Sequence, residues 1–290
     1  MLERVAPALF VLIWSTGWIV AKYAAVAGAD PLTFLVVRYA IAAIVIGLFA
    51  FAVGADWPRR RLDWVHGLVS GILLHAIYLG GVWWAIGTGL PAGLSALIAA
   101  LQPLLTIMIA RFVLDERVSL ANLAGVVIGL VGVGIVLAPR VSSVTSETVA
   151  AMSGPILVNI VSMVAVTIGT FYQKRFVAAG DLRSLTAVQY LGALMVTLPV
   201  ALYLEPLNLP FTREVLYGLV WSVLVLSIGA ISLMLMMIRR GAVSKVASLI
   251  YLIPPTAAVQ AWAMFGETLA TGQIAGMVVT AIGVYLATRP

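Results

Sequence analysis

A gap-free offset of 151 positions lays residues 91–139 over residues 242–290, pairing Pro103 with Pro254, Glu116 with Glu267, Gly125 with Gly276, Gly132 with Gly283 and Pro139 with Pro290. Upstream, the same offset brings Asp30, Tyr39 and Ala42 onto Asp181, Tyr190 and Ala193, and an offset of 152 brings Gly17 and Lys22 onto Gly169 and Lys174. Alanine and valine coincide by chance in an apolar chain. Proline, glutamate and glycine each have a fixed task in a membrane helix: breaking it, ending it, or admitting a neighbour closely. The chain therefore reads as two versions of one unit, residues 1–140 and 141–290.

Hydrophobic residues make up 63% of the chain and charged residues 10%, with a mean hydropathy of +1.12, whereas soluble domains carry about 25% charged residues. This is the composition of a polytopic membrane protein. The absence of cysteine excludes disulfides, thiolate catalysis and Cys-ligated metal. Apolar runs of roughly 20 residues, enough to cross a hydrocarbon core, fall near 6–28, 31–53, 62–87, 91–113, 119–138, 150–175, 182–204, 213–238, 244–265 and 271–288. Gly87, Gly89 and Pro91 argue for a break between the third and fourth runs, where no charge marks one.

The net charge of +6 reports topology rather than an affinity for nucleic acid, because the basic residues sit in the loops. With a cytoplasmic amino terminus, that side holds Arg4, Arg59, Arg60, Arg61, Arg111, Arg117, Lys174, Arg175, Arg183, Arg239, Arg240, Lys245 and Arg289. Only Arg140 and Arg213 fall outside, with Lys22 and Arg38 inside spans. Both termini are expected in the cytoplasm, and the location is expected to be a bacterial inner membrane. Five spans per half is an odd number, so the second copy enters upside down. The expected fold is an all-α membrane protein: ten transmembrane helices in two inverted five-helix repeats, with a site near the midplane between them. The first run, followed by Ala27-Gly28-Ala29, also looks like a cleavable leader; Trp14, Ser15, Trp18 and Lys22 favour a retained span.

Two five-span halves, Trp14-Ser15-Thr16-Gly17 in the first helix, Arg38 in the second, Pro103 in the fourth and an Asp115-Glu116-Arg117 turn before a Gly-patterned fifth helix resemble the EamA type of the drug/metabolite transporter superfamily. Overall similarity is greatest to its bacterial aromatic amino-acid exporters. The resemblance implies a central cavity walled by the first four helices of each half, with the fifth and tenth bracing the fold or a dimer. Gly125-x-x-x-Gly129 suits either packing within the chain or a dimer contact, so monomer and homodimer both stay open.

Polar groups in mid-span mark candidate site residues. His75, Tyr78 and Val82 share a face of the third run and either line a cavity or bond to a neighbouring helix. Gln102 precedes Pro103, and Tyr251 precedes Pro254 and Pro255; each proline frees a carbonyl that can bind substrate or merely shape the bundle. Trp14 lies deep in the first run. Asn159, Ser162, Met163, Thr167 and Thr170 follow one broad face of the sixth, either lining the cavity or gluing helices together. Trp57, Trp64, Trp83 and Trp84, near run ends, default to interfacial anchors. Lys22 and Arg38 are placed to snorkel outward, with Lys22 within reach of Asp30.

All 11 acidic residues fall at a terminus, in a loop or at a loop edge, so a buried carboxylate relay for protons or sodium is not expected within a span. His66 and His75 have no acid at ligand spacing, which disfavours a membrane-embedded enzyme and predicts no metal or cofactor. No charged ring or filter motif suggests a channel. The expected function is alternating-access export of small metabolites, foremost aromatic or neutral amino acids. Their charged ends would be met by neutral dipoles of Gln102, Asn159, His75 and freed carbonyls, and their side chains by Tyr78, Met163, Trp14 or Tyr251. The expected partners are this small-molecule substrate and the lipid bilayer.

Overall fold

Helices occupy the apolar runs in the computed structural model, which describes residues 2–90, 92–113, 119–141, 146–240, 243–265 and 270–288. The first half comprises α1 (Leu2–Val26), α2 (Pro31–Ala52), α3 (Arg61–Gly87), α4 (Ala92–Ala99), α5 (Gln102–Val113) and α6 (Leu120–Val141). After the short α7 (Ser146–Ala151), the second comprises α8 (Ser153–Val177), α9 (Leu182–Leu204), α10 (Arg213–Arg239), α11 (Val243–Ser248), α12 (Ile253–Phe265) and α13 (Thr271–Thr288). The described residues form helices joined by turns and loops, with no strand among them. Six helices (α2, α3, α6, α8, α9 and α10) are long and apolar enough to cross a membrane, and Val5–Gly17, Val246–Gln260 and Thr271–Ala287 are shorter apolar helices. The chain is a multi-pass membrane protein. Asp115, Glu116 and Arg117 lie outside the described residues, as do the side chains of Trp18 and Lys22.

Two runs, each expected to kink at its prolines, are broken there. Residues 91–113 divide into α4 and α5, and residues 244–265 into α11, a 3₁₀ turn at Leu249–Leu252, and α12. Pro103 is the second residue of α5, and Pro254 and Pro255 are the second and third of α12. A proline ring lacks an N–H and clashes with the preceding turn, so it is accommodated where a helix restarts. A second pairing involves widened turns. Ile72–Gly80 in α3 and Ser222–Ala230 in α10 are wound with i→i+5 hydrogen bonds, 150 positions apart, a winding that is rare and concentrates at functional sites.

Three of the glycines of α6, Gly125, Gly129 and Gly132, are spent within the chain. A Cβ on Gly125 or Gly132 would overlap the backbone of Ala287 or Thr280 in α13, and one on Gly283 would overlap the backbone of Gly129. The Gly125-x-x-x-Gly129 face is thus occupied by α13 and by the Tyr251 ring.

The two halves are also tied at both ends of the bundle. At one end, Asp30 accepts from the Asn208 backbone N–H at 2.7 Å and donates its own N–H to the Asn208 carbonyl at 2.9 Å. Glu205 then caps α2 from the opposite half, accepting from the backbone N–H groups of Leu32 and Thr33 at 2.8 and 2.7 Å and from the Thr33 hydroxyl at 2.8 Å. At the Arg-rich end, Asp181 caps α9 through the Arg183 N–H at 2.9 Å and accepts from the Asp56 N–H at 3.2 Å. The hydrogen-bonded Arg183 guanidinium holds the Asp181 carboxyl down at about 2, so this tie is charged at any physiological pH.

Glu205→Ala leaves the first turn of α2 without its anionic acceptor. Loss of hydrogen bonds to a charged group costs about 1.5–3 kcal/mol, and the expected result is a lower melting temperature in detergent with the helix content unchanged. A wild-type melting temperature would show that water replaces the carboxylate without loss.

Candidate functional site

Two adjoining cavities lie between the halves. The first, about 70 Å³, is walled by Trp14 and Gly17 of α1, Arg38 of α2, residues of α3 from Leu74 to Trp83, and Leu226 and Ile231 of α10. The second, about 30 Å³, continues past Trp14, Leu74, Tyr78 and Ile231 to Phe10, Gln102, Thr170, Met234, Ile238 and Val246. Those four shared residues form its waist. Both widened helices contribute, α3 through Leu74, His75, Tyr78 and Leu79, and α10 through Leu226.

Four of the residues expected at the site meet here. Trp14 and Tyr78 border both cavities, His75 the first and Gln102 the second. Trp14 is steadied by Phe10, with ring centroids 5.1 Å apart. The flanking hydroxyls of α1 act as ties: Ser15 donates to Gln260 Oε1 at 3.0 Å, and Thr16 accepts from the Trp221 indole at 2.9 Å. The His75 ring stacks on Tyr190 at 4.7 Å, and its carbonyl accepts from the Tyr39 hydroxyl at 3.0 Å. His75 Nε2 and Gln102 Nε2 are buried without a hydrogen-bond partner among the described residues. A buried polar atom left that way is costly, which marks both as points that a ligand or water would satisfy.

The other three are set differently. Asn159 Nδ2 donates to Ser95 Oγ at 2.9 Å and fastens α8 to α4; Ser162, on the same face, donates to the carbonyl of Ile77 in α3 at 3.1 Å. The glue reading therefore describes this part of α8, while Thr170, with Val166 one turn before it, reaches the cavity wall. Met163 packs with Leu74, Val82 and Val166, one layer behind Tyr78. Tyr251 is fully buried against Gly129, Val126 and Val133. The 3₁₀ turn rotates residues by about 120° rather than about 100° each, so Tyr251 points at α6 while Ile250 and Val246 border the cavity.

Two residues were misplaced by the sequence. Trp83 is buried, stacked on Phe34 at 5.4 Å, and lines the first cavity instead of anchoring an interface. Trp57 and Trp64 do pair near the Arg-rich end, 6.0 Å apart. Arg38 does not snorkel: it is 4% exposed, donates from Nε to Ser227 Oγ at 3.0 Å, and faces the first cavity. The signal available in the sequence was its position a third of the way along an otherwise apolar span.

A hollow between two helical halves, lined by aromatics and a few polar groups, is the form of a site that holds a small molecule in transit. A crystal structure of another protein shares the fold with a TM-score of 0.80 over 99% of this chain and 97% of that one, at 20% identity. An uncharacterized transporter of Bacillus subtilis is 27% identical over 95% of this chain and 88% of its own length. A probable amino-acid metabolite efflux pump of Salmonella typhimurium is 23% identical over 96% and 92%. An S-adenosylmethionine uptake transporter of Rickettsia prowazekii is 25% identical over 57% of this chain and 52% of its own. The same family pattern is met twice, over residues 6–138 and again over 152–289, and on that double match the chain belongs to the EamA-like transporter family.

Proposed function

We propose that this transporter of small metabolites exports amino acids, aromatic and neutral ones foremost, by alternating access between two inverted halves of five crossings each. The observation that carries the proposal is the cavity itself: indole, phenol and aliphatic side chains at its waist, with the unsatisfied His75 Nε2 on one side and Gln102 Nε2 on the other. That combination suits a molecule with an apolar body and polar ends. The paired features of the halves support the inverted arrangement: proline breaks, widened α3 and α10, and ties at opposite ends through Asp30 and Asp181. The efflux relative supports the direction. The described cavity walls contain no carboxylate, which leaves exchange, His75, backbone carbonyls or uncoupled downhill efflux to drive transport, and both termini face the cytoplasm of the bacterial inner membrane.

Proteoliposomes loaded with single amino acids, with and without a pH gradient, test substrate and coupling together. Tyr78→Ala and Gln102→Ala are expected to cut phenylalanine or leucine efflux about tenfold, the effect of losing about 1.4 kcal/mol of interaction with the moving substrate. Both variants should stay folded in detergent. Wild-type flux in both would remove the waist from the pathway.

A further inference from the structure

We infer that Arg38 is the anchor for a substrate carboxylate, so that the site selects monoanionic or zwitterionic carboxylates over the corresponding amides and amines. This deepens the export reading and rests on it for the aromatic character of the ligand. Arg38, a third of the way along α2, is 4% exposed and borders the first cavity. Its Nε is satisfied by Ser227 Oγ at 3.0 Å, which fixes the guanidinium plane. Among the described residues, the ion pairs are Arg59 with Asp56 and Arg183 with Asp181, both at the helix ends; none reaches Arg38. A guanidinium presents paired donors whose spacing matches a carboxylate, and a buried charge without a counter-ion is costly until one arrives.

A second polar group points the same way. His75 Nε2 borders the same cavity, buried and without a partner, and offers a further hydrogen bond to an anion held there. The rest of the wall is apolar or aromatic, from Trp14, Tyr78, Leu79, Val82 and Trp83. With one fixed cation and no acid in the described wall, the guanidinium is paired by a single carboxylate, which a monoanion and a zwitterion both carry. A phosphate dianion leaves an unbalanced charge in low dielectric.

The test is binding to the purified protein in nanodiscs, comparing L-phenylalanine and 3-phenylpropionate with L-phenylalaninamide and 2-phenylethylamine, and L-leucine with L-leucinamide. Both acids of the aromatic set are expected to bind at least tenfold more tightly than the amide and amine. Arg38→Gln is expected to level the series at the weaker value, and Arg38→Lys to restore part of the preference. The acid-to-amide ratio of the wild-type protein stands by itself should Arg38→Gln not fold. Preference for leucine over its amide without any binding of the aromatic set would keep Arg38 and overturn the aromatic reading. Amino-acid flux with equal affinity for acids and amides, or an Arg38→Gln protein that keeps the tenfold preference, would overturn the anchor and leave export standing. Binding of no carboxylate in either set would overturn both.

Discussion

Gly132→Ala is expected to lower the melting temperature by on the order of ten degrees, while Gly134→Ala, one turn-fraction away on the same helix, leaves it unchanged or raises it. A Cβ at Gly132 overlaps the backbone N–H of Thr280, whereas one at Gly134 meets no atom within 4 Å. The α6 helix has no room to retreat, because Gly125 is pressed on the backbone of Ala287, and Gly129 on the Tyr251 ring, along the same flank. Overpacking costs about 1–3 kcal/mol, with the upper end expected where the obstacle is backbone. That corresponds to roughly 2–4 °C per kcal/mol in a domain of about this size. Alanine at an open helical glycine gains up to about 1 kcal/mol. Thermal unfolding in detergent, followed by tryptophan fluorescence, reads both; equal melting temperatures for the two variants would show that α6 and α13 do not meet through Gly132.

What could be read from the sequence follows from which features are local. Pro103, Pro254 and Pro255 break helices by their own covalent geometry, and the breaks fall where they stand. His75 and Tyr78 stood out because a polar side chain in an apolar run needs a reason, and both border the cavity. Features that depend on a distant partner stayed hidden. Arg38 lies about 10 Å along α2 by helical rise, within a long side chain's reach of the interface, and Ser227, 189 residues away, holds it inward. Tyr251 was assigned by its proximity to proline, but its direction is set by a tightened turn and by the gap at Gly129. A buried set of hydrogen bonds among Ser70, Gln173 and Gln189 joins α3, α8 and α9; each amide was visible as a polar residue in a span, and nothing local said that they meet.

That polar cluster sits on the seam with the largest expected effect on transport. Gly71→Ala is expected to abolish flux, with any protein that still folds strongly destabilised, because its Cβ overlaps the carbonyl of Gln189 in α9. The reciprocal contact blocks an escape along the seam: a Cβ on Gly192 of α9 overlaps the carbonyl of Leu68 in α3. Pushing α3 outward separates Ser70 from Gln189 and Gln173, at about 1–3 kcal/mol for each buried group left unsatisfied, in addition to the overpacking. It also carries His75 and Tyr78, one and two turns along α3, away from Trp14 and Arg38 across the cavity. Gly47→Ala on α2 is the matched control, since its Cβ meets only the Ala187 methyl at 3.9 Å. A second comparison separates backbone from side-chain obstruction. Gly67→Ala places its Cβ 2.8 Å from Val188 Cγ1, so Val188→Ala should restore it, whereas truncating Gln189 cannot rescue Gly71→Ala because the obstacle is the peptide carbonyl. Wild-type efflux from Gly71→Ala, or its rescue by Gln189→Ala, would mean that α3 and α9 are not seated on each other's backbone, and that the wall of the cavity is free to move where a fixed one is required.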